Sequence, residues 1–317
     1  MLQCKICGND TDVILFVEVV DILSAWRDLG VRVDAPKCQK VFLARCSECR
    51  FEMWEPAWVG DGNFYAQLSA YDWYYESDKW EYRAALQRLK SVSVKRDSIP
   101  LYVPKVLEVG CGKGEFLKLL AANGIDSLGL DTNRDAAEAA CANGLQALAL
   151  DVDSFAASTR ERFDAVCAFQ VLEHIAEPLP FLETCARLLK PGGELALATP
   201  NQDSFVRYAP YPLLNLPPHH QSHWTVDAYE FAAQALGMDL TSMEFEPLHK
   251  LHTGWALQSI LNRRLQVGIN RPYARKDRPR FKWALLRLAE IAGKALLAPA
   301  PLRNRIRGHA IFVSMRA

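Results

Sequence analysis

Apolar residues in this chain fall into short runs whose spacing alternates between two kinds. Val106, Leu107 and Val109 form a run that stops at Gly110, which fits a buried parallel strand better than a helix. Residues 115–123 then set Phe116, Leu117, Leu119 and Leu120 at helical spacing, closed by Asn123-Gly124. The alternation continues with a strand over 125–130, a helix over 133–142 and a strand over 145–150 ending at Asp151. A fourth strand is predicted at 163–169, a helix at 181–189 stopped by Lys190-Pro-Gly-Gly193, and a fifth strand at 194–199. Thr225 is placed to cap a helix over 226–235, and strands over 238–245 and 309–315 complete the set. Strands alternating with helices predict an α/β protein: a Rossmann-like, doubly wound, seven-stranded sheet, mostly parallel with an antiparallel last strand.

Ahead of this pattern the periodicity changes. Residues 13–20 and 41–44 read as strands of a small module spanning 1–60. Residues 61–104 form a connector whose first half is crowded with aromatics, among them Phe64, Tyr65, Tyr71, Trp73, Tyr75, Trp80 and Tyr82, with a helix predicted over 79–90. Such density serves to pack two modules together or, for some of the tyrosines, to wall a cleft. The main domain runs over 105–317 and carries an insertion at about 246–308. Within it residues 281–297 alternate apolar and basic positions, a pattern suited to a helix lying on the sheet or at a membrane interface.

Composition adds little until it is divided. With 317 residues, half of them hydrophobic, the chain can bury a large core, and 37 basic residues balance 37 acidic ones. The balance is local fiction: residues 248–317 hold 15 Lys and Arg against only Asp277 and Glu290. That basic excess either balances the acidic remainder or docks an anionic substrate or a membrane surface. No leading signal pattern and no run long enough to span a bilayer are visible, so a cytoplasmic location is expected.

Nine cysteines, several inside apolar segments, argue against a disulfide framework. Four are patterned differently. Cys4 and Cys7, then Cys46 and Cys49, are two Cys-x-x-Cys knuckles 38 residues apart, a spacing that can place four thiolates around zinc. Four protein ligands leave no open position, so the expected zinc is structural; unmetallated reduced thiols are the alternative.

The glycine turn after the first strand carries the main chemistry. Gly110, Gly112 and Gly114 are spaced Gly-x-Gly-x-Gly, and Glu115 stands where a dinucleotide-binding turn would need its third glycine. Glu108 precedes the turn and would repel a pyrophosphate while attracting a cationic ligand. Asp131, at the end of the second strand, can accept hydrogen bonds from a ribose diol. Together these residues resemble the first motif of class I S-adenosylmethionine-dependent methyltransferases, which implies that Glu108, Gly110, Cys111, Gly112, Gly114 and Asp131 bind that cofactor. The resemblance also gives Asp151, or its neighbour Asp153, the adenine amino group. Gln170-Val-Leu-Glu-His174-Ile is similar to the segment after the fourth strand of ubiquinone-type O-methyltransferases, which implies that Gln170 lines the cofactor and that a glutamate and His174 lie near the methyl group. The Pro200-Asn201 turn is shared with the family as well.

His174 is the expected base, with His219, His220 and His223 in reserve; loop packing is the alternative for that trio, and the absence of a nearby carboxylate argues against a metal there. Zinc-knuckle methyltransferases of this layout resemble those of sugar and surface-glycan pathways. The expected reaction is O-methylation of a small-molecule or sugar acceptor, anionic and either nucleotide- or lipid-linked. One rival is a zinc-ribbon protein that binds or modifies RNA, although neither knuckle sits in a basic stretch. Another is a membrane-peripheral enzyme acting on a quinone or lipid, touching the bilayer through residues 281–297. The oligomeric state is not legible from the chain.

Overall fold

The computed structural model describes residues 2–71, 74, 78–94, 103–209, 212–266, 280–297 and 299–317. Trp73 and Tyr75, and residues 95–102 of the connector, lie outside them. The chain opens with β1 (Thr11–Glu18), α1 (Val19–Leu29), β2 (Lys40–Cys46) and β3 (Glu52–Glu55). Next come α2 (Gly62–Ser69), α3 (Trp80–Val94), β4 (Lys105–Val109), α4 (Glu115–Ala122), β5 (Asp126–Asp131), α5 (Arg134–Ala142), β6 (Ala147–Ala149), α6 (Val152–Ser158), β7 (Phe163–Phe169), α7 (Pro178–Arg187) and β8 (Leu189–Pro200). The remainder is β9 (Ser222–His223), α8 (Val226–Ala235), β10 (Asp239–Pro247), α9 (Thr253–Leu265), α10 (Arg280–Leu296), α11 (Ala300–Arg303) and β11 (Arg307–Arg316).

These elements form a four-stranded sheet, β1-β2-β3-β9, and a seven-stranded sheet, β10-β11-β8-β7-β4-β5-β6. In the larger sheet the pairings β4–β5, β4–β7, β5–β6 and β7–β8 are parallel, and β4 reverses the winding because its neighbours β5 and β7 lie on opposite sides. Ligands of doubly wound sheets bind at the carboxyl ends of strands at such a switch point. The glycine turn follows β4 directly.

The chain divides into two compact units. One comprises Met1–Gly60, Pro200–Tyr229 and Phe245–Ile311; the other comprises Asp61–Thr199, Glu230–Glu244 and Phe312–Ala317. The N-terminal 60 residues thus cluster with two later segments, and the aromatic connector clusters with the sheet. In the second unit the core is built from Val106, Phe116, Leu120, Ala165, Cys167, Phe169, Ala196 and Phe312, with Ala85 and Leu89 of α3 packed among them. Tyr82 stacks at 5.4 Å from Phe116 and 5.7 Å from Phe169, so part of the aromatic run packs onto this core.

Helix starts follow local chemistry. Asn133 accepts from the N–H groups of Asp135 and Ala136 at the start of α5, and the Thr225 hydroxyl accepts from Ala228 N at 3.2 Å. Two expectations need correction. The helix over 181–189 begins instead at Pro178, a residue suited to the first turn, and ends at Arg187. Lys190-Pro-Gly-Gly193 does not separate helix from strand but is an irregular step inside β8, where Phe163 pairs with Leu189 and Ala165 already with Glu194.

Candidate functional site

In the first unit the four knuckle cysteines come together. Cys4 Sγ lies 3.4 Å from Cys49 Sγ, Cys7 Sγ lies 3.4 Å from Cys46 Sγ, and Cys7 and Cys49 are 3.6 Å apart. Tetrahedral thiolates around zinc, with bonds of about 2.3 Å, would sit about 3.8 Å apart. The contact with Cys49 draws the Cys4 thiol down to about 5, whereas the same contact, together with burial, pushes Cys49 up. Four thiols this close cannot all ionise unless a cation shares their charge, so the donor set fits zinc.

The second unit holds the glycine turn. Gly110, Gly112 and Gly114 all have positive φ, and a Cβ on Gly110 would come within 2.3 Å of Val171 Cγ2. The turn therefore packs directly on the segment after β7, which side chains at these positions would disrupt. Asp131 accepts from Gly112 N and from Asn133 N, each at 2.7 Å, and so ties the turn to the end of β5. Burial raises its carboxyl above the ordinary range against the pull of those two bonds.

Glu108 is 2 % exposed, and its Oε2 has no hydrogen-bond partner among the described residues. Burial pushes its carboxyl well above the usual range; Lys79 opposes this and Asp131 adds to it. A buried carboxyl with an orphaned oxygen beside a glycine cradle fits a ligand that brings positive charge, such as the ammonium and sulfonium of S-adenosylmethionine.

Gln170 stands at φ +56° with its N–H on Ala198 O, and its side-chain amide donates to buried Glu81 at 3.1 Å. Four residues on, His174 Nδ1 lies 3.3 Å from the Tyr65 hydroxyl, the two rings meeting edge to face, and His174 Nε2 lies 4.0 Å from Glu173 Oε1. Burial raises Glu173 to about 8 and the Tyr65 phenol above its ordinary value. A histidine between a phenol and a carboxyl held near neutrality is equipped to accept and pass a proton.

Other sequence candidates are placed differently. Asp151 is an exposed N-cap whose carboxylate accepts from Ser154 N and Oγ, and Asp153 accepts from the Thr184 hydroxyl of α7 at 2.7 Å. His219, His220 and His223 lie in the first unit, in a loop laced to residues 54–60 through Gln221. His219 and His220 stack at 4.5 Å, with their Nδ1 atoms on Leu214 O and Asn215 Oδ1. His223 bonds Glu52 Oε2 through Nδ1 and Asn215 O through Nε2, each at 2.9 Å. Both ring nitrogens of His223 are therefore engaged by groups of the first unit.

Three residues missed in sequence belong with these groups: Lys79, whose charge reaches both Glu108 and Glu173; Glu81, which holds Gln170; and Tyr65 in its specific pairing with His174. Their one signal was the aromatic run that surrounds them.

The Methyltransferase domain family matches residues 77–243. A Ubiquinone biosynthesis O-methyltransferase from Vibrio parahaemolyticus is 30% identical over 174 residues, 51% of this chain and 73% of that protein. Its counterpart from Proteus mirabilis is 32% identical over 122 residues, 37% of this chain, and there the match spans only 49% of the relative's length. Among solved structures, a SAM-dependent methyltransferase from Archaeoglobus fulgidus aligns with a TM-score of 0.45 at 20% identity, over 73% of this chain and 94% of that one. The family match covers more than half of the chain and takes in the glycine turn, Asp131 and the Gln170–His174 segment: this protein belongs to the class I S-adenosylmethionine-dependent methyltransferases.

Proposed function

We propose that the protein transfers a methyl group from S-adenosylmethionine to a hydroxyl oxygen of an anionic, lipid-borne acceptor, with a sugar headgroup as the first candidate. The observation that carries the reaction is the Tyr65–His174–Glu173 array in the same unit as the Glu108 cradle. The cofactor supplies an electrophilic methyl on a positively charged sulfur. Glu108 supplies negative charge toward the ligand's cationic part, and the turn from Gly110 to Gly114, braced by Asp131, leaves room for close approach. His174 takes the acceptor's proton, and Tyr65 fixes the ring through Nδ1. The name of the relatives supports oxygen as the acceptor atom.

The lipid-borne character rests on α10 in the first unit. Leu286 and Gly293 are buried on one side, where a Cβ on Gly293 would fall 2.9 Å from Gly254 Cα of α9. Phe281, Leu288, Ile291 and Leu296 point the other way and are 62–75 % exposed, with Lys282, Arg287 and Lys294 on the same helix. An apolar stripe with basic neighbours fits an anionic membrane surface. No helix among the described residues is long and apolar enough to cross a membrane.

Labelled methyl transfer into a panel of sugar nucleotides, glycolipids and quinol-type phenols tests both parts. Incorporation into glycolipid that drops at least 100-fold in His174→Ala is expected. Full activity in that variant would remove His174 as the base, and incorporation into the phenols alone would replace the sugar with a quinol lipid.

A further inference from the structure

At the two ends of the insertion, three side chains that no motif connects meet in the first unit. Glu246 closes β10, His252 precedes α9 and His309 lies in β11. One ligand-capable atom from each lies within 4.8 Å of the others. Glu246 is fixed in place: its Oε2 accepts from His309 N at 3.0 Å, from Ala310 N at 3.2 Å and from His309 Nδ1 at 2.7 Å. Gly308 makes room for it, since a Cβ there would fall 2.7 Å from that same oxygen. The His252 ring stands edge-on to His309 at 4.8 Å and to Trp255 at 5.5 Å, which sets its orientation.

His252 Nδ1 is buried and has no hydrogen-bond partner among the described residues. A buried imidazole nitrogen without a proton partner is costly unless a water or a cation meets it.

We propose that Glu246, His252 and His309 form a second zinc site, separate in sequence and in chemistry from the four cysteines. Two imidazoles and a carboxylate are a borderline-soft donor set suited to zinc, and three protein ligands leave a coordination position for water. The His309 ring is about one-third exposed, so solvent reaches this position.

The test is metal stoichiometry on the full chain. Zinc-loaded protein freed of excess metal is expected to hold two equivalents, and His252→Ala to hold one while keeping its circular dichroism spectrum. Cobalt replacement separates the sites: the cysteine site gives an intense thiolate-to-metal absorption in the near ultraviolet, whereas the second equivalent adds only weak visible bands. His252→Ala should lose the weak bands alone. His309→Ala should do the same, and if it fails to fold the His252 variant still decides. A wild-type chain that takes up only thiolate-ligated metal, or a His252→Ala chain that retains the weak bands, overturns the proposal.

Discussion

Two buried glutamates show how the same side chain serves opposite ends. Glu52 is fully buried in the first unit, yet Arg45, His223, Gln202 and Arg207 surround it. Burial alone would raise its carboxyl, but the His223 bond and charge, then Arg45 and Arg207, bring it to about 2. Glu52→Gln would strand this positive charge, and a loss of about 3–5 kcal/mol in chemical denaturation of the first unit is expected. Glu108 is the reverse case, a carboxyl whose pKa burial raises well above the usual range. A cationic ligand favours its ionised form, so cofactor binding should release a proton and tighten as pH rises. Calorimetric titration in two buffers of different ionisation enthalpy measures that release. Glu108→Gln should abolish it and weaken S-adenosylmethionine more than its demethylated product, which lacks the sulfonium; equal weakening would separate Glu108 from the sulfur.

Elements were legible where local pattern and tertiary burial agree. The strands β4 and β7 are largely apolar and buried because both faces of a parallel sheet are covered there, and the sequence places them, with β5, within a residue or so. The glycine turn, Asp131 and the Gln170–His174 segment were readable for a related reason: local spacing determines their geometry. By contrast α1 escaped notice. Its start, Val19-Val20, continues the apolar pattern of β1, and only Ile22, Trp26 and the left-handed Gly30 mark a helix. The Tyr65–His174 pair and the Glu246–His252–His309 cluster join residues far apart in sequence, which spacing cannot register. Helix α10 lies between these cases, since its amphipathic pattern was plain but its outward face was not. Replacing Phe281, Leu288 and Ile291 with serine should leave the fold intact, because their exposed side chains bury little, while liposome flotation on anionic vesicles falls several-fold. Unchanged flotation would leave α10 as a packing helix only.

At the scale of the whole molecule, the two units should respond to pH in opposite directions. In the first, Glu52 has its pKa depressed to about 2, so its stabilising contribution is present above about 4.5 and is lost as pH falls toward 2. In the second, Glu173 is raised to about 8 and Glu108 is raised as well. Their protonated forms belong to the folded state, so their contribution is complete below about 4.5. For Glu173 it is lost as pH climbs toward 8, at up to about 1.4 kcal/mol per pH unit, and Glu108 acts in the same direction. Scanning calorimetry of the ligand-free chain between pH 3 and pH 9 should therefore resolve two transitions that move apart, one failing first in acid and the other first in mild alkali. Chelation should lower the first transition alone, because the thiolate cluster lies within that unit, and S-adenosylmethionine should raise the second. A single transition that shifts as one under chelator, cofactor and pH would mean that the units melt together and that the titration of these glutamates is shared between them.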